Sequence, residues 1–80
     1  MGKDDSTLEP KPSSGPYRVI GTDTFPWPNE DYGVGEYPDL DSAMEAAQNE
    51  RQDMTVVRIY DEAGRLVAYA RGPGKDWSLF

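Results

Sequence analysis

Two strand-like runs joined by a four-residue turn place the strongest constraint on how this chain folds. Residues 54–60 and 65–71 are rich in β-branched and aromatic side chains, and they flank the segment 61–64. Asp61 at the first turn position and Gly64 at the last are typical of a type I turn followed by a left-handed residue. The pattern therefore predicts an antiparallel β-hairpin.

Alternation along the two strands assigns each side chain to a face of the hairpin. The side chains expected to point inward are Val57, Ile59, Leu66, Ala68 and Ala70. Those expected on the opposite face are Arg58, Tyr60, Val67 and Tyr69. One apolar face and one mixed face are typical of an antiparallel sheet that packs on a single layer.

A helix is predicted before the hairpin, over residues 39–52, because apolar side chains recur there at the spacing of one helix face. The side chains of that face are Leu40, Ala43, Met44 and Ala47. Asp39 directly precedes it and is the expected N-cap, since a carboxylate suits the positive end of a helix. Ser42 and Glu45 form a competing capping box, which would start the helix one turn later.

Two further strands are predicted before the helix. Residues 17–22 are β-branched and aromatic, and residues 31–37 resume extended structure after a loop. That loop, residues 25–30, contains two prolines, which cannot donate hydrogen bonds to a central strand. The order β-β-α-β-β predicts a small two-layer α+β domain, in which one helix packs on a mainly antiparallel sheet.

The length and composition of the chain predict a tail followed by one domain. Residues 1–16 are rich in Pro, Ser, Gly, Lys and Asp, so burial cannot offset the entropy of ordering them, and a disordered tail is expected. Residues 17–80 form the single domain, which ends in an apolar segment, residues 75–80. No stretch has the apolar core of a signal peptide or the length of a membrane span, so a cytoplasmic location is expected.

The region that leads into the helix resembles small uncharacterised bacterial proteins. Residues 32–46 read YGVGEYPDLDSAMEA and resemble their Tyr-x-x-Gly-Glu-aromatic strand followed by a capped, Ala-rich helix. Residues 25–31 also look like the Phe-x-aromatic-x-acidic stretch of those proteins, so the similarity spans about residues 19–47. The resemblance implies a bacterial, cytoplasmic origin and a strand-to-helix unit. It implies no functional residue, because no activity is established for that group.

The amino-acid composition of the chain excludes most common kinds of catalytic site. The chain has no Cys and no His, which rules out thiolate zinc sites and a Ser-His-Asp arrangement. Asp39, Asp41 and Glu45 cluster at the predicted helix start. A calcium-binding EF-hand loop would need an oxygen ligand and a glycine where Ala43 and Met44 stand. We therefore expect a non-enzymatic protein without a metal or cofactor.

The charge balance bears on the class of partner. Eight Lys and Arg residues against fifteen Asp and Glu residues give a net charge of −7. This opposes binding to nucleic acid or to an anionic membrane, which basic side chains drive, and it suits docking to a basic protein. One interpretation is an acidic nucleic-acid mimic that inhibits a basic protein, although Arg58, Arg65 and Arg71 on the hairpin count against it.

Several aromatic side chains lie outside the predicted core and are the candidate partner-binding residues. They are Phe25, Trp27, Tyr60, Tyr69, Trp77 and Phe80. If they are exposed, they predict a protein-interaction module. A small domain needs extra burial, which favours the alternative that the loop and the C-terminal segment fold over the outer sheet face and complete the core. A third possibility is that they are buried against a second copy of the chain in a homodimer.

Overall fold

The computed structural model describes residues 14–80 of the chain. Its elements, in chain order, are β1 (Tyr17–Asp23), β2 (Glu30–Tyr37), α1 (Leu40–Asn49), β3 (Thr55–Tyr60), β4 (Leu66–Arg71) and β5 (Ser78–Leu79). The strands form one antiparallel sheet in the order β2-β1-β3-β4-β5, and α1 packs on one face of it. The predicted two-layer α+β fold is confirmed, with β5 added to the four predicted strands.

The helix begins where the apolar pattern predicts. Asp39 is the N-cap: its backbone is extended, and its Oδ1 accepts a hydrogen bond from the Ser42 N–H at 2.7 Å. The capping box that would start the helix one turn later is therefore not used. The helix ends at Asn49, three residues before the predicted end, because Arg51 N–H bonds to the Gln48 carbonyl and tightens the last turn.

The core lies between α1 and the covered sheet face. Its buried members are Tyr17, Val19, Ala43, Ala47, Val57, Ile59, Val67 and Ala68. The two alanines are the fully buried residues of α1, and their small side chains allow the helix backbone to approach β1, β2 and β3 closely. Next to this contact the ring of Tyr32 lies directly over Gly21, where a Cβ would collide with it. Glycine at this position is therefore a packing requirement.

The hairpin turn has the predicted geometry. The Gly64 N–H donates to the Asp61 carbonyl at 2.9 Å, and Gly64 has a φ of +85°, in the left-handed region that favours glycine. The Asp61 side chain stabilises the turn further: Oδ1 accepts the backbone N–H of Arg65 at 2.8 Å. Its Oδ2 lies 3.1 Å from the Arg65 guanidinium.

A β-bulge shifts the predicted alternation in β4. Ile59 pairs with Ala68 as expected, but Tyr60 pairs with Leu66, which leaves Val67 as an extra residue. Val67 is buried in the core, and Leu66 lies opposite Tyr60, so the inward prediction for Leu66 and the outward prediction for Val67 are both wrong. The physical reason is that one inserted residue exchanges the faces of its neighbours.

The start of the described region is attached to the hairpin turn. The Glu62 N–H donates to the Ser14 carbonyl at 2.9 Å, and the Ser14 hydroxyl donates to Glu62 Oε1 at 3.3 Å. The predicted disordered tail, as far as residue 13, lies outside the described residues. Within residues 14–80, no helix is both long and apolar enough to cross a membrane.

The ionised Asp61 carboxylate is expected to stabilise the hairpin. The hydrogen bond from the Arg65 backbone, aided by the Arg65 guanidinium, holds the pKa of Asp61 below its ordinary value of 3.8. A carboxyl group with a lowered pKa stabilises the fold fully above its ordinary pKa, and this contribution is lost as the pH falls through the folded value.

We therefore expect Asp61→Asn to lower the free energy of unfolding at neutral pH and to have a much smaller effect at acid pH. Urea unfolding of both proteins across the acid range would measure this difference. It should shrink as the pH falls below 3.8, the ordinary pKa of Asp61. A difference that stayed constant down to the lowest pH would show that the charge of Asp61 does not stabilise the turn.

Candidate functional site

The six predicted partner-binding residues lie in three separate places. Phe25 and Trp27 are in the loop between β1 and β2. Tyr60 and Tyr69 lie on the face of the sheet that α1 does not cover, whereas Trp77 and Phe80 flank β5. The structure therefore does not bring the six residues together into one surface.

Trp77 is part of the internal packing. Its ring is half-buried against the core, and its Nε1–H donates to Gln48 Oε1 at 2.9 Å. The guanidinium of Arg51 lies over the same ring, 5.5 Å from the centroid. These contacts hold the C-terminal segment to the helix, so the surroundings of Trp77 account for an aromatic residue there without a partner.

The uncovered sheet face carries a mixed set of side chains. Tyr69 lies opposite Arg58 on β3, and Arg58 in turn lies opposite Ile20 on β1. The Arg58 guanidinium donates to Thr22 Oγ1 at 3.2 Å, and the Thr22 hydroxyl donates to Asp31 Oδ1 at 2.7 Å. The polar side chains at the centre of this face therefore bond mainly to one another.

Three of the five large apolar side chains that are exposed in the described region lie at one end of the sheet. Large apolar residues that are exposed within the described region are Phe25 (69%), Trp27 (81%), Met54 (60%), Leu79 (64%) and Phe80 (75%). The first three lie where β1 ends and where β2 and β3 begin, because Asp23 pairs with both Glu30 and Thr55. We call Phe25, Trp27 and Met54 together the aromatic end. The loop that contains two of them does not complete the core.

Met54, which the β-branched pattern of residues 54–60 predicts in a regular strand, has an unusual backbone conformation at this end. Its φ of +64° lies in the left-handed region, where a non-glycine residue costs of order 1–3 kcal/mol. The Met54 carbonyl accepts two hydrogen bonds from Thr24, one from its N–H at 2.8 Å and one from its hydroxyl at 2.9 Å. These bonds join the start of β3 to the β1–β2 loop and hold the exposed Met54 side chain beside that loop.

Two cavities open at the aromatic end. The first, which we call the aromatic cavity, has a volume of about 220 Å³ and is lined by Asp23, Phe25, Pro26, Trp27, Pro28, Asn29 and Glu30. The second has a volume of about 360 Å³ and is lined by Thr24, Asn29, Met54, Thr55, Val56 and Arg71. Small-molecule sites span about 300–1,000 Å³, so the second cavity lies at the lower end of that range. The aromatic cavity is smaller and suits a single side chain of a partner better than a whole metabolite.

The aromatic cavity has an acidic lining. Asp23 and Glu30 are its charged residues, and neither belongs to an ion pair in the described part of the chain. The Asp23 carboxylate accepts a long hydrogen bond, 3.5 Å, from the Thr55 hydroxyl. Burial, together with the negative charges of Glu50 and Asp23, raises the pKa of nearby Tyr32 above its ordinary value of 10.0. The carboxylates of Asp23 and Glu30 therefore place negative charge in the aromatic cavity.

Comparison with known proteins identifies no family or relative of this chain. Within residues 14–80, no group of three or more acidic side chains is placed to hold a metal ion. No protein-family model matches the chain, and neither the curated proteins nor the solved structures contain a match.

Proposed function

We propose that this protein is a non-enzymatic interaction module that binds a protein partner through the aromatic end. The observation that carries the proposal is the exposure of Trp27, whose side chain is 81% exposed beside the exposed Phe25. Burying a large apolar side chain contributes about 1.5–3 kcal/mol, and Trp is among the residues that dominate binding energies at interfaces. Two such side chains on one short loop form the anchor that a partner would cover.

The loop also suits binding because its backbone is restricted. Pro26 and Pro28 flank Trp27, and a proline ring holds φ near −65°. Less conformational entropy is then lost when a partner immobilises the loop. The two hydrogen bonds from Thr24 to Met54 fasten the loop to β3 from the other side. The apolar side chains are thus presented on a largely pre-organised surface.

The partner is a second protein or a second copy of the chain, and both would use the same side chains. The other interpretation of the charge, a nucleic-acid mimic, has less support from the geometry. Arg18, Arg58 and Arg71 share the uncovered sheet face, so basic side chains interrupt any continuous array of acids there. No observation on the described residues favours an enzyme over this binding role.

Replacing Trp27 by Ala is expected to abolish binding while leaving the fold intact. A side chain so exposed contributes little to folding, so the free energy of unfolding should change by no more than about 0.5 kcal/mol. Random peptides displayed in a library would be selected on the immobilised wild-type protein and then tested on Trp27→Ala. We expect the enriched peptides to lose binding to the variant.

Phe80→Ala is the matched control, because Phe80 is similarly exposed but lies outside the aromatic end. It should retain the peptides that Trp27→Ala loses. Sedimentation velocity of the wild type and Trp27→Ala would detect self-association through the same loop. If no selected peptide depends on Trp27 and the two proteins sediment alike at high concentration, the proposal is wrong.

A further inference from the structure

The aromatic cavity combines two chemical features that together recognise a cation. Phe25 and Trp27 provide aromatic rings, whose faces carry partial negative charge and attract a cationic group. Asp23 and Glu30 provide carboxylates in the same cavity, which has a volume of about 220 Å³. An uncharged partner side chain would leave both carboxylates without a counter-charge. A basic side chain would satisfy the rings and the carboxylates at once.

The protein already contains this combination in a completed form. The Arg51 guanidinium lies over the Trp77 ring, 5.5 Å from the centroid, and its Nη2 pairs with Asp76 Oδ1 at 3.2 Å. One tryptophan, one carboxylate and one guanidinium thus form a single contact group near β5. At the aromatic end the tryptophan and the carboxylates are present, but none of the ion pairs of the described region supplies a cation to Asp23 or Glu30.

The net charge of the whole chain also favours a basic partner. A net charge of −7 attracts a basic partner over distance and raises its rate of association. Arginine fits the cavity better than lysine, because a planar guanidinium stacks on an aromatic face and also forms paired hydrogen bonds with a carboxylate.

We infer that the partner is a basic peptide segment that inserts an arginine, or less favourably a lysine, between Trp27 and the carboxylates of Asp23 and Glu30. This inference rests on the proposed function and adds the chemistry of the partner to it. The apolar surface of Phe25 and Met54 then packs against the residues that flank the inserted side chain.

The peptide selection described above provides the first test. Peptides that depend on Trp27 should be enriched in Arg and Lys relative to the starting library. If the Trp27-dependent peptides are neutral or acidic, the inference is overturned while the proposed function stands. If no peptide depends on Trp27 but self-association does, the inference is again overturned and the proposed function stands. If neither depends on Trp27, both fail, so the two failures are distinguishable.

The second test removes the carboxylates without changing the shape of the cavity. For a selected basic peptide, the double variant Asp23→Asn, Glu30→Gln should raise Kd about three- to tenfold at low salt, in keeping with exposed cation–π and ion-pair contacts. The matched control is Asp41→Asn, Glu45→Gln, which removes the same charge from α1 and should raise Kd less than about twofold. If the two double variants raised Kd equally, only the net charge would matter and the proposed binding site would be wrong.

The peptide itself allows a direct test of the inserted side chain. Citrulline has the shape of arginine without its charge, so replacing the arginine by citrulline should weaken binding to the wild type. It should weaken binding to Asp23→Asn, Glu30→Gln much less, because the two changes remove the same interaction. In NMR spectra the indole signal of Trp27 should shift on peptide addition, whereas that of Trp77 should not. Insertion at this cavity would be contradicted if the effects of citrulline and of the double variant on Kd were additive. It would also be contradicted if only the indole signal of Trp77 shifted.

Discussion

Shortening Ile59 to Ala is expected to remove a large share of the free energy of unfolding of the protein. Ile59 is fully buried on β3, the middle strand of the sheet, where it lies opposite Val19 on one side and Ala68 on the other. Removing such a side chain costs about 2–5 kcal/mol, because the cavity left behind is only partly refilled. A domain of this size has about 5 kcal/mol of stability in total, so the loss is a large share of it.

Urea unfolding followed by circular dichroism would measure this loss. Ile20→Ala is the matched control, since it deletes the same atoms from a half-buried isoleucine on the neighbouring strand β1. Ile20 lies opposite Arg58, on the sheet face that the helix does not cover, so its replacement should cost about 1 kcal/mol or less. Similar costs at the two positions would mean that the core does not lie on the helix side of the sheet.

Replacing Arg51 by Ala is expected to detach the C-terminal segment from the domain. The side chain of Arg51 is only 2% exposed, and its nitrogens donate to the carbonyls of Gly72 at 3.0 Å, Pro73 at 3.2 Å and Asp76 at 2.7 Å. It also covers the ring of Trp77. Hydrogen bonds from a charged donor contribute about 1.5–3 kcal/mol each, but bonds from one side chain are not additive, so we expect a total loss of about 2–4 kcal/mol.

Two readouts separate this loss from general destabilisation. The amides of Ser78 and Leu79, which pair with β4, should exchange with solvent faster than those of the central strands, and the Trp77 indole signal should move towards that of an exposed tryptophan. Arg51→Lys keeps the charge but has no planar fork, so it should recover less than half of the lost stability. Full recovery by Lys would show that charge alone matters and that the directed hydrogen bonds to residues 72–76 do not.

The parts of the fold that could be predicted from the sequence depend on local interactions. Asp39 caps α1 through Ser42, and Gly64 closes the hairpin turn through Asp61, each within three residues along the chain. The apolar spacing of Leu40, Ala43, Met44 and Ala47 identifies the buried side of the helix, because helix geometry alone brings those side chains together. Each of these features requires only interactions between residues that are close together along the chain.

The candidate site was only partly predictable. Phe25 and Trp27 stood out as apolar side chains on a loop, but their exposure depends on where that loop lies relative to the sheet. Met54 gave no signal, because its left-handed backbone is held by hydrogen bonds from Thr24, thirty residues earlier. Trp77, like Trp27, lies outside the predicted helix and strands, yet its ring is half-buried against the core.

The hairpin, the capped helix and the two-layer α+β class could be predicted from the order of the residues, since periodicity and turn chemistry are local properties. Three features emerge only in the folded protein: the bulge at Val67, the fifth strand and the different roles of the two tryptophans. Each of these depends on contacts between segments that are distant along the chain: β3 with β4, β4 with β5, and Arg51 with residues 72–77. Such contacts form only when the sheet and the helix have packed together, so they cannot be predicted from the pattern of neighbouring residues.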